Sequence, residues 1–166
     1  EGNNALTFET TAALDVYKNL PPLVPYPQNI NIEQGKNLDL RNLKVITSPD
    51  DSLKGMVHEF SEEVKTRLGI SLSLQSSPAA AADGMVALIT DKSIVGTEAY
   101  ALTVTEKNIV IKASHRAGFF YGLQTLRQLM TKAFYAKTTA QREWNIPVLD
   151  IKDKPLLSYR GYMLDI

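Results

Sequence analysis

A chain of 166 residues, nearly half of them apolar, is long enough to bury one core of ordinary domain size. Its 18 basic and 18 acidic side chains cancel, which excludes the electrostatic footprint of a nucleic-acid or anionic-membrane binder. The absence of cysteine excludes disulfides, zinc–thiolate sites and thiol nucleophiles, and no apolar run reaches the roughly 20 residues of a membrane span.

The start, Glu1-Gly2-Asn3-Asn4, lacks the basic and apolar regions of a signal peptide. Pro21, Pro22, Pro25 and Pro27 then forbid a helix and predict an extended lead-in. Ile30 and Ile32 alternate with polar residues as in a half-buried strand. Gln34-Gly35-Lys36 reads as a turn, with Leu38 and Leu40 continuing a hairpin, and Leu43 to Thr47 is the next β-type run. A helix follows, with Ser48 as N-cap, Pro49 at the first helical position and Asp50 and Asp51 at the positive end of its dipole. Leu53, Met56, Val57, Phe60, Val64 and Leu68 make its apolar stripe, and Gly69 ends it at C′. Ile70 to Leu74 and Met85 to Thr90 read as strands separated by a flexible Ala/Ser/Pro loop, Ser76 to Ala82.

The clearest hairpin joins Tyr100–Val104 to Ile109–Ile111 through Glu106, Lys107 and Asn108. A second helix runs from about His115 to Thr131, with Phe119, Leu123, Leu126 and Met130 as its main stripe, flanked by Phe120 and Leu129. Gly118 and Gly122, one turn apart, cost helix propensity and predict close packing of that helix on a sheet. A polar linker, Lys137 to Glu143, leads to a β run around Ile146, Val148 and Ile151. The last apolar run, Tyr159 to Ile166, has no partner upstream and is expected to be poorly anchored by itself. This order predicts an α+β fold: a mixed β-sheet with two main helices packed on one face.

The chemistry-bearing residues form no catalytic constellation. His58 and His115 lack metal-ligand spacing, and no nucleophile elbow, phosphate loop or dinucleotide fingerprint occurs. Glu62-Glu63 and Asp50-Asp51 read as solvated or helix-terminal carboxylates, and Tyr121 reads as packing rather than a stacking platform. No catalytic residue, metal or cofactor is expected.

Two stretches carry a resemblance. Ala113-Ser114-His115-Arg116-Ala117-Gly118-Phe119-Phe120-Tyr121-Gly122-Leu123-Gln124-Thr125-Leu126-Arg127-Gln128-Leu129 is similar to the A-G-x-F-Y-G-x-Q-T-L-x-Q-L helix in the N-terminal domain of glycoside hydrolase family 20. Ile146-Pro147 through Asp153-Lys154-Pro155, then Tyr159-Arg160-Gly161-Tyr162-Met163-Leu164-Asp165, resembles that family's linker and first barrel strand, with Leu156-Leu157 where Arg-Phe is usual. Pro25-Tyr26-Pro27-Gln28 is similar to its P-x-P-Q start.

The resemblance implies three parts: a lead-in over 1–23, a hexosaminidase-type N-terminal α/β domain over 24–152, and over 153–166 a linker with a fragment of the first strand of a (β/α)8 barrel, cut off there. It implies a parent β-N-acetylhexosaminidase that removes terminal N-acetylglucosamine or N-acetylgalactosamine by a substrate-assisted retaining mechanism, in a periplasmic or secreted setting. Its Asp-Glu pair would lie downstream, and this part alone would be inactive. Arg160 matches the family's sugar-binding arginine, a role that suits the fixed fork of a guanidinium. Asp165 is a candidate partner in the layer behind it, although the two side chains fall on opposite faces of a regular strand. The implied partners are the missing barrel and, in the parent, a glycan; nucleic acid and a membrane span are not expected. The alternatives are an independent carbohydrate-binding module, for which Trp144 is the only tryptophan, or the equivalent N-terminal domain of another barrel glycosidase.

Overall fold

The computed structural model describes residues 21–76 and 81–156. Seven strands form one sheet: β1 (Asn29–Asp39), β2 (Val45–Ser48), β3 (Ser73–Ser76), β4 (Met85–Thr90), β5 (Tyr100–Val104), β6 (Ile109–Ala113) and β7 (Asn145–Asp153). Their spatial order is β1-β7-β5-β6-β4-β2-β3. The β1, β7, β5 and β6 neighbours are antiparallel, and the β6, β4, β2 and β3 neighbours are parallel, so the sheet is mixed. The parallel pair β2/β3 requires a crossover, which helix α1 (Lys54–Leu68) supplies. Helix α2 (Arg116–Leu129) connects β6 to β7 and is followed by a short turn of helix, α3 (Thr131–Phe134).

The core lies between the helices and one sheet face. Tyr100, Leu102 and Val104 of β5 and Ile109, Ile111 and Ala113 of β6 are buried, while Thr103 and Lys112, which point the other way, are more accessible. Against that face α2 buries Phe119, Leu123 and Leu126, and α1 buries Val57, Phe60 and Val64. The expected close approach occurs at both helix glycines. A Cβ on Gly118 would meet the Ala99 carbonyl oxygen at 2.3 Å, and one on Gly122 would meet Ile111 Cγ2 at 2.6 Å. Only hydrogen fits there.

Four local expectations differ from the structure. Gln34-Gly35-Lys36 is not a hairpin turn, because β1 continues through it and both its halves pair with β7. Glu33 to Lys36 stand opposite Val148 as an irregularity, with Gly35 at φ 78°. A long antiparallel partner outcompetes the local hairpin. Ser48 is still in β2, and the capping role falls to Asp50, whose side chain accepts from Ser52 N–H and starts a 3₁₀ turn over Asp51–Leu53 ahead of α1. The Ser48 hydroxyl instead donates to the Asp50 carbonyl at 2.7 Å. The third strand begins at Ser73 rather than Ile70, since Ile70 and Leu72 turn into the core before the edge strand forms. Finally, α2 ends at Leu129 rather than near Thr131, and α3 resumes after Met130. Gly69 does end α1, at φ 74°. Most of the Ser76–Ala82 loop, and all of Tyr159 to Ile166 with Arg160 and Asp165, lie outside the described residues.

Candidate functional site

Three segments converge along α2, from Tyr121 to Gln128. The proline-rich lead-in passes along the helix, where Val24 N–H donates to Gln128 Oε1 at 2.7 Å and Gln128 Nε2 donates to the Val24 carbonyl at 3.0 Å. This pair satisfies a stretch of backbone that no strand satisfies. Four residues on, Gln28 ties the lead-in to the end of β7: its N–H donates to Asp153 Oδ1 at 3.1 Å and its Nε2 to the Lys154 carbonyl at 2.7 Å. Between them lies a groove of about 310 Å³, with Tyr121, Gln124 and Gln128 of α2 on one wall and Tyr26 and Leu156 on the others.

The groove rests on Tyr100, whose hydroxyl shares a 2.6 Å hydrogen bond with Thr125 Oγ1. Burial pushes the Tyr100 phenol up to about 12 against the opposing influence of Thr125, and the Asp153 carboxylate adds to the rise. A phenol so held is a neutral hydrogen-bonding group at ordinary pH. It is not a base.

The other chemistry-bearing residues are dispersed. His58 is exposed on α1, and His115 is exposed at the start of α2, with Ser114 Oγ 2.9 Å from its Nδ1. Among the described residues no group of three His, Asp or Glu side chains could hold a metal ion. The adjacent acids on α1 do not share a solvated face as expected. Glu62 pairs with Lys65 at the surface, whereas Glu63 turns between the helices and accepts from Arg127 Nε at 2.7 Å and Arg67 Nε at 3.1 Å. The Arg127 guanidinium lies over the Phe60 ring and that of Arg67 over Tyr135, so the ion cluster ties α1 to α2 and α3. Trp144 is half-buried, with the guanidinium carbons of Arg41 and Arg142 at 5.6 and 5.1 Å from its ring centre.

Glu98, Asp153 and Lys154 also line this groove, beside its aromatic and carboxamide side chains. The family model described as glycosyl hydrolase family 20, domain 2, matches residues 20–154, which takes in every strand and helix among the described residues. The chain belongs to glycosyl hydrolase family 20. This family 20 domain is 22% identical over 144 residues to a beta-hexosaminidase of Porphyromonas gingivalis, covering 87% of the chain and 18% of that protein. It superposes on the Flavobacterium johnsoniae chitobiase with a TM-score of 0.60 at 30% identity, covering 85% of the chain and 22% of the chitobiase. The GH20 beta-N-acetylhexosaminidase of Streptomyces coelicolor shares the fold, with a TM-score of 0.65 at 21% identity over 81% of the chain and 26% of the enzyme. The domain thus spans about a fifth to a quarter of each of these three proteins, and among its described residues no helix is long and apolar enough to cross a membrane.

Sequence reasoning missed the groove. Its signal was available on α2, where Phe120, Tyr121, Gln124 and Gln128 make an uncharged strip between Arg116 and Arg127, whereas the outward positions of α1 include Lys54, His58, Glu59, Glu62 and Lys65.

Proposed function

We propose that this family 20 domain is the accessory N-terminal domain of a β-N-acetylhexosaminidase, and that the chemistry belongs to a catalytic barrel following it in the same polypeptide. The single observation supporting this reading is the match of residues 20–154 to domain 2 of a family whose named relatives are beta-hexosaminidases and chitobiases about four to six times the length of this chain. In this reading residues 1–23 lead in, 24–152 form the accessory domain, and 153–166 link it to the first barrel strand. The parent hydrolyses terminal N-acetylglucosamine or N-acetylgalactosamine in a periplasmic or secreted setting. The substrate's own acetamido oxygen attacks the anomeric carbon as the glycosidic bond breaks, and a carboxylic acid of raised pKa on the barrel protonates the leaving oxygen. Arg160 binds sugar hydroxyls with its fixed set of donors, and Asp165 stands behind it.

An independent carbohydrate-binding module would need exposed aromatic faces for sugar stacking. Trp144 suits that poorly, because two guanidinium groups already lie against its ring. Hydrolysis of an aryl N-acetyl-β-glucosaminide tests the proposal, with the full-length parent and this 166-residue chain assayed side by side. Turnover is expected from the parent alone. Turnover by the isolated chain, or none by the parent, would overturn it.

A further inference from the structure

The helices α1 and α2 pack on one face of the sheet, so the outward side chains of β6, β5, β7 and β1 make a surface of their own on the other. Strand register sets them in two rows. Lys112, Ala101, Lys152 and Asn29 stand side by side in one, and Val110, Thr103, Asp150 and Asn31 in the next. Two cavities lie over these rows, of about 510 and 560 Å³, and they share Gln28, Asn29 and Lys152, which makes them one trough.

The trough carries positive charge that its own acids do not neutralise. Lys112 and Lys152 flank Ala101, whose methyl group leaves the floor between them low, and neither lysine forms an ion pair among the described residues. The nearby carboxylates are engaged by neutral donors instead. Asp91 accepts from Ser93 N–H at 2.9 Å and from the Ser93 hydroxyl at 2.6 Å, Asp150 from the Thr103 hydroxyl at 2.6 Å, and Asp153 from Gln28 N–H at 3.1 Å. Neighbouring strands lie about 4.8 Å apart, so the two lysines start about 10 Å from each other, and their flexible four-carbon stems can converge on one anion. Like charges held this close repel, and an anion between them removes that cost. Beside them the exposed Asn29 and Asn31 side chains make no hydrogen bond among the described residues.

From this we infer that the trough binds an acidic oligosaccharide, a hydroxylated sugar chain bearing anionic groups. The lysines take an anionic group over Ala101. The rest of the lining selects the rest of the ligand, because the carboxylates of Asp150 and Asp153 only accept and so require donors, while the amides of Asn29 and Asn31 serve hydroxyl groups in either sense. A phosphate polymer would bring more negative charge against those carboxylates, and a neutral sugar would leave the lysines unpaired. Recognition by charge and hydroxyl groups needs no aromatic stacking face. The trough lies across the sheet from α2 and its groove, and binding there is independent of the chemistry proposed for the parent.

Calorimetric titration of the full-length parent with a short dextran sulfate tests this, since that probe carries sulfate and hydroxyl groups but no N-acetylhexosamine. Saturable binding is expected, weakened at least about ten-fold by Lys112→Gln with Lys152→Gln and retained by Lys112→Arg with Lys152→Arg. Lys44→Gln with Lys137→Gln removes the same charge from two other exposed lysines without ion pairs among the described residues, and should change affinity by less than about two-fold. Asp150→Ala should weaken dextran sulfate by about three-fold or more and leave inorganic polyphosphate bound at least as tightly. Every substituted side chain is exposed, and unchanged melting midpoints check that the variants fold. Absence of binding, or binding unmoved by the glutamine pair at 112 and 152, overturns the inference. Equal loss in the pair at 44 and 137, or tighter binding of polyphosphate than of dextran sulfate, overturns it as well, because either reduces the effect to unspecific attraction of charge.

Discussion

Replacing Gly118 by alanine should unfold this domain more readily, although alanine is the better helix former. The new methyl would sit 2.3 Å from the Ala99 carbonyl oxygen and 2.8 Å from Ala113 Cβ. Non-bonded heavy atoms approach to about 3.5 Å, so α2 must lift by about 1 Å or the Ala99 peptide must turn. Neither move is free. Ala99 precedes β5, which is hydrogen-bonded on both sides, and α2 buries seven residues including Phe119 and Leu123. Overpacking of this kind costs about 1–3 kcal/mol, and the upper part of that range applies where backbone rather than a flexible side chain is struck. Helix propensity offsets up to about 1 kcal/mol of it, leaving a net loss of about 2 kcal/mol. For a domain of this size the thermal midpoint should fall by about 4–8 °C. Gly55 is the control, since it lies in the first turn of α1 and a Cβ there meets nothing within 4 Å. Gly55→Ala should be neutral or stabilise by about 0.5 kcal/mol. Urea titrations of the three proteins, with the slope checked for constancy, measure both changes. If Gly118→Ala equals or exceeds the unsubstituted chain in stability, the reasoning about backbone contact is wrong.

Glu63→Gln should cost about 1–2 kcal/mol in the same titration, between the values for exposed and fully buried pairs, because it strips Arg127 and Arg67 of a shared carboxylate in a half-buried cluster; Glu62→Gln, on the solvated side, should change stability by less than about 0.5 kcal/mol. The Tyr100 phenol is raised in the folded state to about 12, so its contribution is fully present below the ordinary tyrosine value near 10 and is lost as pH climbs from there towards 12. A pH series of melts should show that decline, and Tyr100→Phe should flatten it; an unchanged slope in the variant would remove Tyr100 as its source. In the full-length parent, Arg160→Lys should lower kcat/KM by about 100-fold or more with unchanged melting, as expected for loss of a multi-donor sugar contact. Parallel loss of the melting transition would make Arg160 structural instead.

What could be read from the sequence was whatever depends on neighbours in the chain. The β5–β6 hairpin closes over four residues, and the stripe of α2 with its two glycines reports a close packing that the Ala99 carbonyl and Ile111 then supply. Pairing across long separations left no such mark. Nothing in Asn29–Asp39 announces that its partner is Asn145–Asp153, and the local pattern around Gly35 favoured a hairpin that the distant strand displaces. The groove was hidden for the same reason, since its clamps join Val24 to Gln128 and Gln28 to Asp153. Glu63 was misjudged because helix position alone does not show that a second helix, carrying Arg127, lies alongside.

The pairing of the first strand with the last also orders events during synthesis. Domains fold from the N-terminus as the chain emerges at about 5–20 residues per second. The parallel half, β2, α1, β3 and β4, can assemble early, but β1 has no partner until β7 leaves the ribosome, more than 100 residues later. For several seconds β1 is therefore unpaired on both sides, and one side stays an open edge in the finished sheet, a hazard that strands escape by carrying polar side chains and irregular backbone. Asn29, Asn31, Glu33, Gln34 and Lys36, with the glycine kink among them, fit a strand made to wait.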